Sequence, residues 1–424
     1  MSSPEADLWF GTDHSVLALA LARMADAMGN SFLIIVLPLY VASDAVTGHL
    51  FGIPASFVAG VVLALFGIAS SLAQPFAGHL SDRLGCRKPF VVGGLVIFAV
   101  VNLSFGFATQ YWELFVLRII QGLAAAFTIT ASLALVNEGS GPERRGGNMG
   151  VYNSFRLVGF GAGPLLASVL VEMGPFQLPG NWTLSGFDAT FLVAGGTALI
   201  STGLVVWLVR DPEEQSEAPG RLSLEVWDRD RRRLNPIFAL GLATLVMAAC
   251  MALLSAIEPE VNERLGQGPV WFAVEFVALI AALAALQPFV GRASDRMGRR
   301  PFILGGLVAL VPTTVGQGFV TTPWEMILMR MLQGGAGAFI FAPALALAGD
   351  YARTGASGAQ LSVLTVAFGL GIAAGQLTAG AFVGYGFAVP FVIGGVLAAG
   401  AVVLVRTQVP APSVHGAGGT HEEQ

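Results

Sequence analysis

Apolar runs of roughly twenty or more residues follow one another along this 424-residue chain, and they bound every other inference. At 1.5 Å per residue such a run crosses, as a helix, a hydrocarbon layer about 30 Å thick. Only helices and closed barrels satisfy their backbone polar groups in that layer. A barrel would show segments of about ten residues with alternating polarity, and these are absent. Hydrophobic residues make up 54% of the chain and charged residues 12%, about half the charge of an ordinary globular protein. The 54 glycines suit helices that approach closely in lipid. The expected class is all-α integral membrane, with twelve transmembrane helices at roughly 15–40, 54–80, 89–109, 112–137, 146–173, 188–209, 236–261, 269–291, 301–320, 324–349, 356–384 and 388–407.

One charged stretch between apolar runs occurs twice. The first copy is Gly78-His79-Leu80-Ser81-Asp82-Arg83-Leu84-Gly85-Cys86-Arg87-Lys88-Pro89, and the second is Gly291-Arg292-Ala293-Ser294-Asp295-Arg296-Met297-Gly298-Arg299-Arg300-Pro301. Arg118 and Arg330 lie 212 positions apart, as do Glu138 and Asp350, whereas Asp82 and Asp295 lie 213 apart, so one residue is lost near Cys86. The chain therefore reads as two pseudo-symmetric six-helix bundles. The first covers 1–209, a central linker covers 210–235, the second bundle covers 236–407, and 408–424 is expected to be a disordered cytoplasmic tail. Arg83, Arg87, Lys88, Arg144, Arg145, Arg210, the 229–233 cluster, Arg292 to Arg300, Arg353 and Arg406 fall on one side, and the opposite loops hold Arg264 and little else that is basic. By the positive-inside rule both termini and the linker are expected to be cytoplasmic, in a multi-pass protein of the inner or plasma membrane. The 229–233 cluster is either positive-inside charge on a linker or a short helix on anionic lipid. Asp44, Glu172, Asp188, Glu258, Glu260 and Glu263 lie on the other side. They form either a solvated acidic face or a funnel for cations.

The repeated stretch resembles the loop signature Gly-x-Leu-x-Asp-Arg-x-Gly-Arg-Arg of the major facilitator superfamily. The resemblance implies two parallel six-helix halves around a central substrate site. It also implies a gating loop of Gly78, Asp82, Arg83, Gly85, Arg87 and Glu138, mirrored by Gly291, Asp295, Arg296, Gly298, Arg299 and Asp350. The glycines are expected to make the tight turn, and the arginines to pair with Glu138 and Asp350. A static staple is the other reading of these charges. Cys86 stands where the signature favours arginine, so either Arg87 and Lys88 compensate for it or the first copy is the weaker of the two.

In the first span Arg23, Asp26 and Asn30 share one helix face. A charge near mid-membrane costs about 2.5–3.5 kcal/mol on insertion scales, so Asp26 needs a cavity or a partner. The stretch Asp26-Ala27-Met28-Gly29 with Pro38 resembles the first span of tetracycline-type drug exporters, which implies proton coupling at Asp26. The alternative is an Arg23–Asp26 pair that only holds the helix. Arg118 and Gln121 lie in an Arg-x-x-Gln-Gly element whose family resemblance implies a cavity arginine in proton coupling, with a purely structural role as the alternative. Gly150, Gly159, Gly163 and Pro164 resemble the antiporter element glycine-x8-glycine-x3-glycine-proline of proton-coupled exporters. Such a face is expected to pack and pivot against a helix of the other half, although a generic small-residue face reads the same way. Arg156, on one side with Asn153 and Gly163, needs a partner. Asp26 and an anionic substrate group are both candidates, Arg156 is expected with Arg118 to tune proton coupling at Asp26, and Arg23, Asn30, Gln121 and Asn153 are expected to line the substrate cavity. In the second half Gln360, Phe368, Trp271, Phe272, Thr365 and Gln376 either line the cavity or serve as core and interface anchors.

No phosphate-cradling loop ending in Lys-Ser/Thr is present, and no nucleophile–base set lies at one depth, so neither ATP hydrolysis nor an enzyme is indicated. Cys86 and Cys250 lie in different halves and form no redox or metal spacing. Met1 to His14 lacks the basic start and cleavage site of a secretory signal, so the first span is expected to be retained. The expectation is a secondary active transporter without cofactor, a proton-coupled antiporter exporting small molecules or drugs by alternating access. Its partners are a small-molecule substrate, protons and the lipid bilayer, with no nucleic acid, and the chain is expected to be a monomer. The alternatives are a proton-linked importer or exporter of an anionic metabolite and, from another class, a non-transporting membrane sensor or assembly factor.

Overall fold

A computed structural model describes residues 8–9, 12–43, 45–47, 52–140, 145–180, 182–211, 226–228, 233–351 and 357–410. Within them lie α1 (His14–Ala42), α2 (Ala55–Leu84), α3 (Lys88–Ser104), α4 (Tyr111–Glu138), α5 (Arg145–Met173), α6 (Gly186–Leu208), α7 (Pro236–Ala252), α8 (Glu258–Leu265), α9 (Pro269–Met297), α10 (Arg299–Gln317), α11 (Pro323–Tyr351), α12 (Ser357–Phe382) and α13 (Val389–Gln408). Eleven of the helical segments are long and apolar enough to cross a membrane. The twelfth long helix, α10, falls short because Arg299 and Arg300 open it and Thr313, Thr314 and Gln317 close it. Asp44, Arg144, the 229–232 part of the arginine cluster, Arg353 and the end of the tail lie outside the described residues.

The span expected at 236–261 is broken. Leu253–Ala256 tighten into a 3-10 turn, and α8 starts afresh with Pro259 in its first turn. A proline there has no N–H to give to the preceding turn, and its ring would clash with that turn's carbonyl, so the helix restarts. The repeated charged stretch also differs from the expected loop. Most of it is the last turns of α2 and α9, and the chain reverses only at Gly85 (φ 63) and Gly298 (φ 94). Those left-handed positions require glycine. Gly78 and Gly291 lie inside helices, and a Cβ on either meets nothing within 4 Å, so the turn does not depend on them.

The halves repeat one packing scheme. In the first, α1 packs on α5 and α6, α2 on α4, and α3 on α4 and α6. In the second, α7 packs on α12 and α13, α9 on α11, and α10 on α11 and α13. Between halves, α2 meets α12 and α5 meets α9. An apolar core at the arginine-poor end takes residues from both halves, including Phe32, Leu37 and Val58 with Leu254, Ile257 and Val261. Towards the arginine-rich end each half has a separate core, one around Leu19, Leu95 and Leu135 and the other around Leu240, Leu307 and Leu347.

Close approach of helices explains the α5 glycines, and corrects the expected partner. A Cβ on Gly159 would run into the Met24 carbonyl, and one on Gly163 into Ser31 and, at 2.7 Å, the Met28 oxygen, so this face packs on α1 of its own half. Gly371 and Gly375 of α12 lie 212 positions on and sit against Leu245 and Ala249 of α7 in the same way. The spacing thus serves the packing of both halves. Gly150 has no neighbour for an added Cβ, and α5 meets α9 through the Phe160–Phe276 ring pair, 5.5 Å between centroids. Gly159→Val should therefore destabilise the protein by about 1–3 kcal/mol or more through overpacking. Gly150→Ala should leave it unchanged. Thermal unfolding of the two purified variants in detergent checks the contrast.

Candidate functional site

At the centre of the first half the sequence places amides around one arginine. Arg118 donates to the Val62 and Leu63 carbonyls of α2 at 3.1 and 3.3 Å, to Gln121 Oε1 at 2.7 Å and to Asn30 Oδ1 of α1 at 3.4 Å. Gln121 in turn donates to Asn102 Oδ1 of α3 at 2.8 Å. Arg118 also stacks on Phe66, 4.7 Å from the ring centroid. Helices α1 to α4 thus converge on one guanidinium. The second half repeats the device: Arg330 donates to the Met251 carbonyl at 3.0 Å and to Gln333 Oε1 at 2.8 Å, and Gln333 donates to the Cys250 carbonyl and to Thr314 Oγ1, both at 3.1 Å. Asn102 was not anticipated, although an amide inside the apolar run of α3 was a readable sign of this network.

Towards the arginine-rich end, Asp26 is buried at 3% exposure and forms an ion pair with Arg23, one turn away on α1. Arg156, the other candidate partner, makes no ion pair and no hydrogen bond among the described residues. It lies on α5 within electrostatic reach of Arg23 and Tyr152. The Tyr152 and Ser132 hydroxyls are 2.5 Å apart, and Tyr152 also senses Asp26. Asn153 is exposed.

The expected pairs of the gating loop are present, but in the opposite order of burial. Arg87 reaches both Glu138 oxygens, at 2.6 and 3.1 Å, and Ser81 Oγ at 2.8 Å, with side-chain exposures of 5% for Arg87 and 7% for Glu138. Its backbone N–H and that of Lys88 donate to Asp211 at the start of α3, a favourable place for a carboxylate. Arg299 pairs with Asp295 at 3.0 Å and with Asp350, at exposures of 23% for Arg299 and 54% for Asp350. Arg87 lies 212 positions before Arg299. Cys86 is thus the additional residue of the first turn and occupies no arginine position, and the first-half pair is the more buried one. The Asp82 side chain lies outside the described atoms, and Arg83 and Arg296 are exposed.

At the arginine-poor end the acidic face is not wholly solvated. Glu258 of α8 and Glu275 of α9 are fully buried, and both Glu275 oxygens and Glu258 Oε2 have no hydrogen-bond partner among the described residues. Burial, reinforced by Glu275, pushes the Glu258 carboxyl well above the usual carboxylate range, against a weak 3.5 Å hydrogen bond from Asn262. Pro259, by ending the preceding helix, turns Glu258 inward, which the apolar pattern did not reveal. Of the second-half residues proposed for the cavity, Phe272 is core, Trp271 stacks edge-on with exposed Trp324, Phe368 packs on Phe341, and the Gln360 side chain lies outside the described atoms. Gln376 is buried and donates to Ser255 Oγ at 3.4 Å.

Residues 19–256 and 240–423 match the family model described as Major Facilitator Superfamily. Multidrug resistance protein MdtG of Salmonella choleraesuis (strain SC-B67) is 26% identical over 309 residues, 71% of either chain. MdtG of Enterobacter lignolyticus (strain SCF1) is 26% identical over 304 residues, 71% of this chain and 69% of that one. Among solved structures, a bacterial homolog to the human lysosomal transporter Spinster superposes with a TM-score of 0.72 at 14% identity, covering 92% of this chain and 94% of that one. Nucleoside transporter NupG gives a TM-score of 0.72 at 12% identity, covering 93% and 100%.

Two measurements probe these charges. Glu138→Gln leaves Arg87 buried without its counter-charge and should cost about 3 kcal/mol. Asp350→Asn breaks a water-exposed pair and should cost under about 1 kcal/mol. Thermal unfolding of both variants checks the order. Glu258 keeps its proton in the folded state at pH values where the unfolded chain, with a glutamate value of about 4.3, has released it. The folded state therefore loses stability relative to the unfolded one as pH rises above that value. Glu258→Gln should match the parent near pH 4 and become progressively more stable than it between pH 5 and 8, read as the difference in Tm.

Proposed function

Because the chain belongs to the Major Facilitator Superfamily, and so is a multi-pass membrane transporter of a small-molecule substrate rather than an enzyme, we propose that it is a proton-coupled antiporter that exports its substrate by alternating access. Asp26 carries this reading. It is a carboxylate buried inside α1 and paired with Arg23, in a chain related to proteins named for multidrug resistance. A buried carboxylate near a fixed cation can take up and release a proton as its surroundings change.

In this mechanism the arginine-rich end faces the cytoplasm, as the positive-inside rule requires. The shared core around Leu37 and Ile257 then closes the outer side, and the halves, which keep separate cores on the cytoplasmic side, part there to admit substrate in this reading. The Arg87–Glu138 and Arg299–Asp350 pairs hold the inner ends of each half as rigid units. Proton arrival at Asp26 from the outside is exchanged for substrate leaving the cytoplasm, with Arg118 fixing the geometry of α1 through Asn30. The proton gradient supplies the energy, no cofactor takes part, and the monomer, without nucleic acid, is the working unit.

Asp26→Asn should abolish drug-elicited proton movement in inverted membrane vesicles, measured with a pH dye across a panel of drugs and normalised to the amount of folded transporter, since loss of the Arg23 counter-charge also lowers Tm. Undiminished coupling in the variant, or solute movement by the parent without proton movement, rejects the proposal.

A further inference from the structure

We infer that Arg156, with Arg23 and the Tyr152 hydroxyl, forms an anion-binding subsite in the first half that takes the phosphate, phosphonate or carboxylate group of the substrate. The inference rests on the chain being a transporter with a central substrate site, but not on the direction of transport or on proton coupling.

The charge balance carries it. Apart from the Arg87–Glu138 pair, which balances itself, the described residues inside this half hold three guanidinium groups, Arg23, Arg118 and Arg156, against one carboxylate, Asp26. Arg118 has its donors on the Val62 and Leu63 carbonyls and on Asn30 and Gln121. Asp26 is engaged by Arg23. That leaves Arg156 uncompensated: among the described residues it has neither a hydrogen bond nor an ion pair, and the charged group it senses most is the like charge of Arg23. The Nε of Arg23 is itself buried and has no hydrogen-bond partner among the described residues. Two guanidinium groups side by side in a low-dielectric interior repel each other, and each unmatched donor there carries a desolvation cost that an anion would remove.

Geometry makes the place reachable. Arg156 is half-buried, so part of its surface stays accessible. It lies one turn from Gly159, where α5 rests on Met24 of α1, the residue next to Arg23 in sequence, so both arginines belong to the same helix crossing. One turn further towards the arginine-rich end, exposed Asn153 offers a polar approach. Tyr152 lies within electrostatic reach of Arg23, Asp26 and Arg156, with its hydroxyl 2.5 Å from Ser132. When Ser132 donates its O–H to the phenol oxygen, the single phenol proton is free to go to a bound oxyanion. A planar guanidinium fork matches two oxygens of a phosphonate or carboxylate, which a cation or a neutral sugar cannot exploit.

The test is equilibrium binding to the purified full-length protein, with no pH gradient, so that its failure leaves the coupling proposal untouched. Phenylphosphonate should raise Tm saturably, and benzyltrimethylammonium, its match in size with opposite charge, should not. Arg156→Gln should weaken phenylphosphonate binding about tenfold or more, the size of one charge-assisted hydrogen bond. Arg156→Lys should fall between, and the ligand-free Tm of Arg156→Gln should not drop, because an unmatched charge has been removed. If Arg156→Gln is not recovered folded, Arg156→Lys and Tyr152→Phe carry the comparison. Competition by lysophosphatidate but not by lysophosphatidylcholine would place the anion on a lipid, and no competition by either would place it on a soluble solute; both outcomes keep the subsite. Unchanged phenylphosphonate affinity in the variants, or binding of the cation with silence from the anion, overturns it.

Discussion

A guanidinium in the middle of a membrane bundle has five N–H donors fixed in one plane, and lipid offers acceptors to none of them. The position of every helix around Arg118 follows from that constraint. Its donors need two consecutive α2 carbonyls, an α1 amide and an amide of its own helix, and the last of these passes the requirement to Asn102 on α3. Packing of apolar side chains alone would tolerate a slide of one helix along another, whereas a guanidinium bonded to several helices at once would not. Arg330 and Gln333 impose the same discipline on α7, α10 and α11.

On this repeated frame the two halves carry different charges. The first holds Asp26 among arginines at the arginine-rich side of the Arg118 network. The second holds Glu258 and Glu275 on the opposite side of the membrane, with Arg330 sensing Glu275. Duplication thus explains the scaffold, and later divergence of a few side chains explains why the centre is chemically lopsided.

Much of this was legible from residue order alone. Apolar run lengths gave the long helices because a helix in lipid must span a fixed thickness, and the 212-residue offset paired Arg118 with Arg330 and Glu138 with Asp350 before any contact was known. What order alone could not convey was which neighbour a face meets. Gly159 and Gly163 announced a close helix crossing but not that α1 is the helix crossed. The turn glycines were readable only in part, since a glycine in a helix interior, such as Gly78 or Gly291, looks the same as one that sets a left-handed φ. Cys86 misled because motif columns do not reveal an inserted residue, while the guanidinium of Arg87 reaches the same partner from the next position. Glu258 was placed in water because apolar periodicity does not register the restart at Pro259.

The unequal burial of the two arginine–carboxylate pairs has a consequence for how the halves respond to their surroundings. Counter-ions in the adjoining solution reach Asp350 and are kept from Glu138, and at physiological ionic strength their influence fades over about 8 Å. Ionic strength on that face therefore acts on the α9–α11 corner and leaves the α3–α4 corner nearly untouched. A protein built from twin halves is, in this respect, salt-sensitive on one side of its pseudo-symmetry axis only.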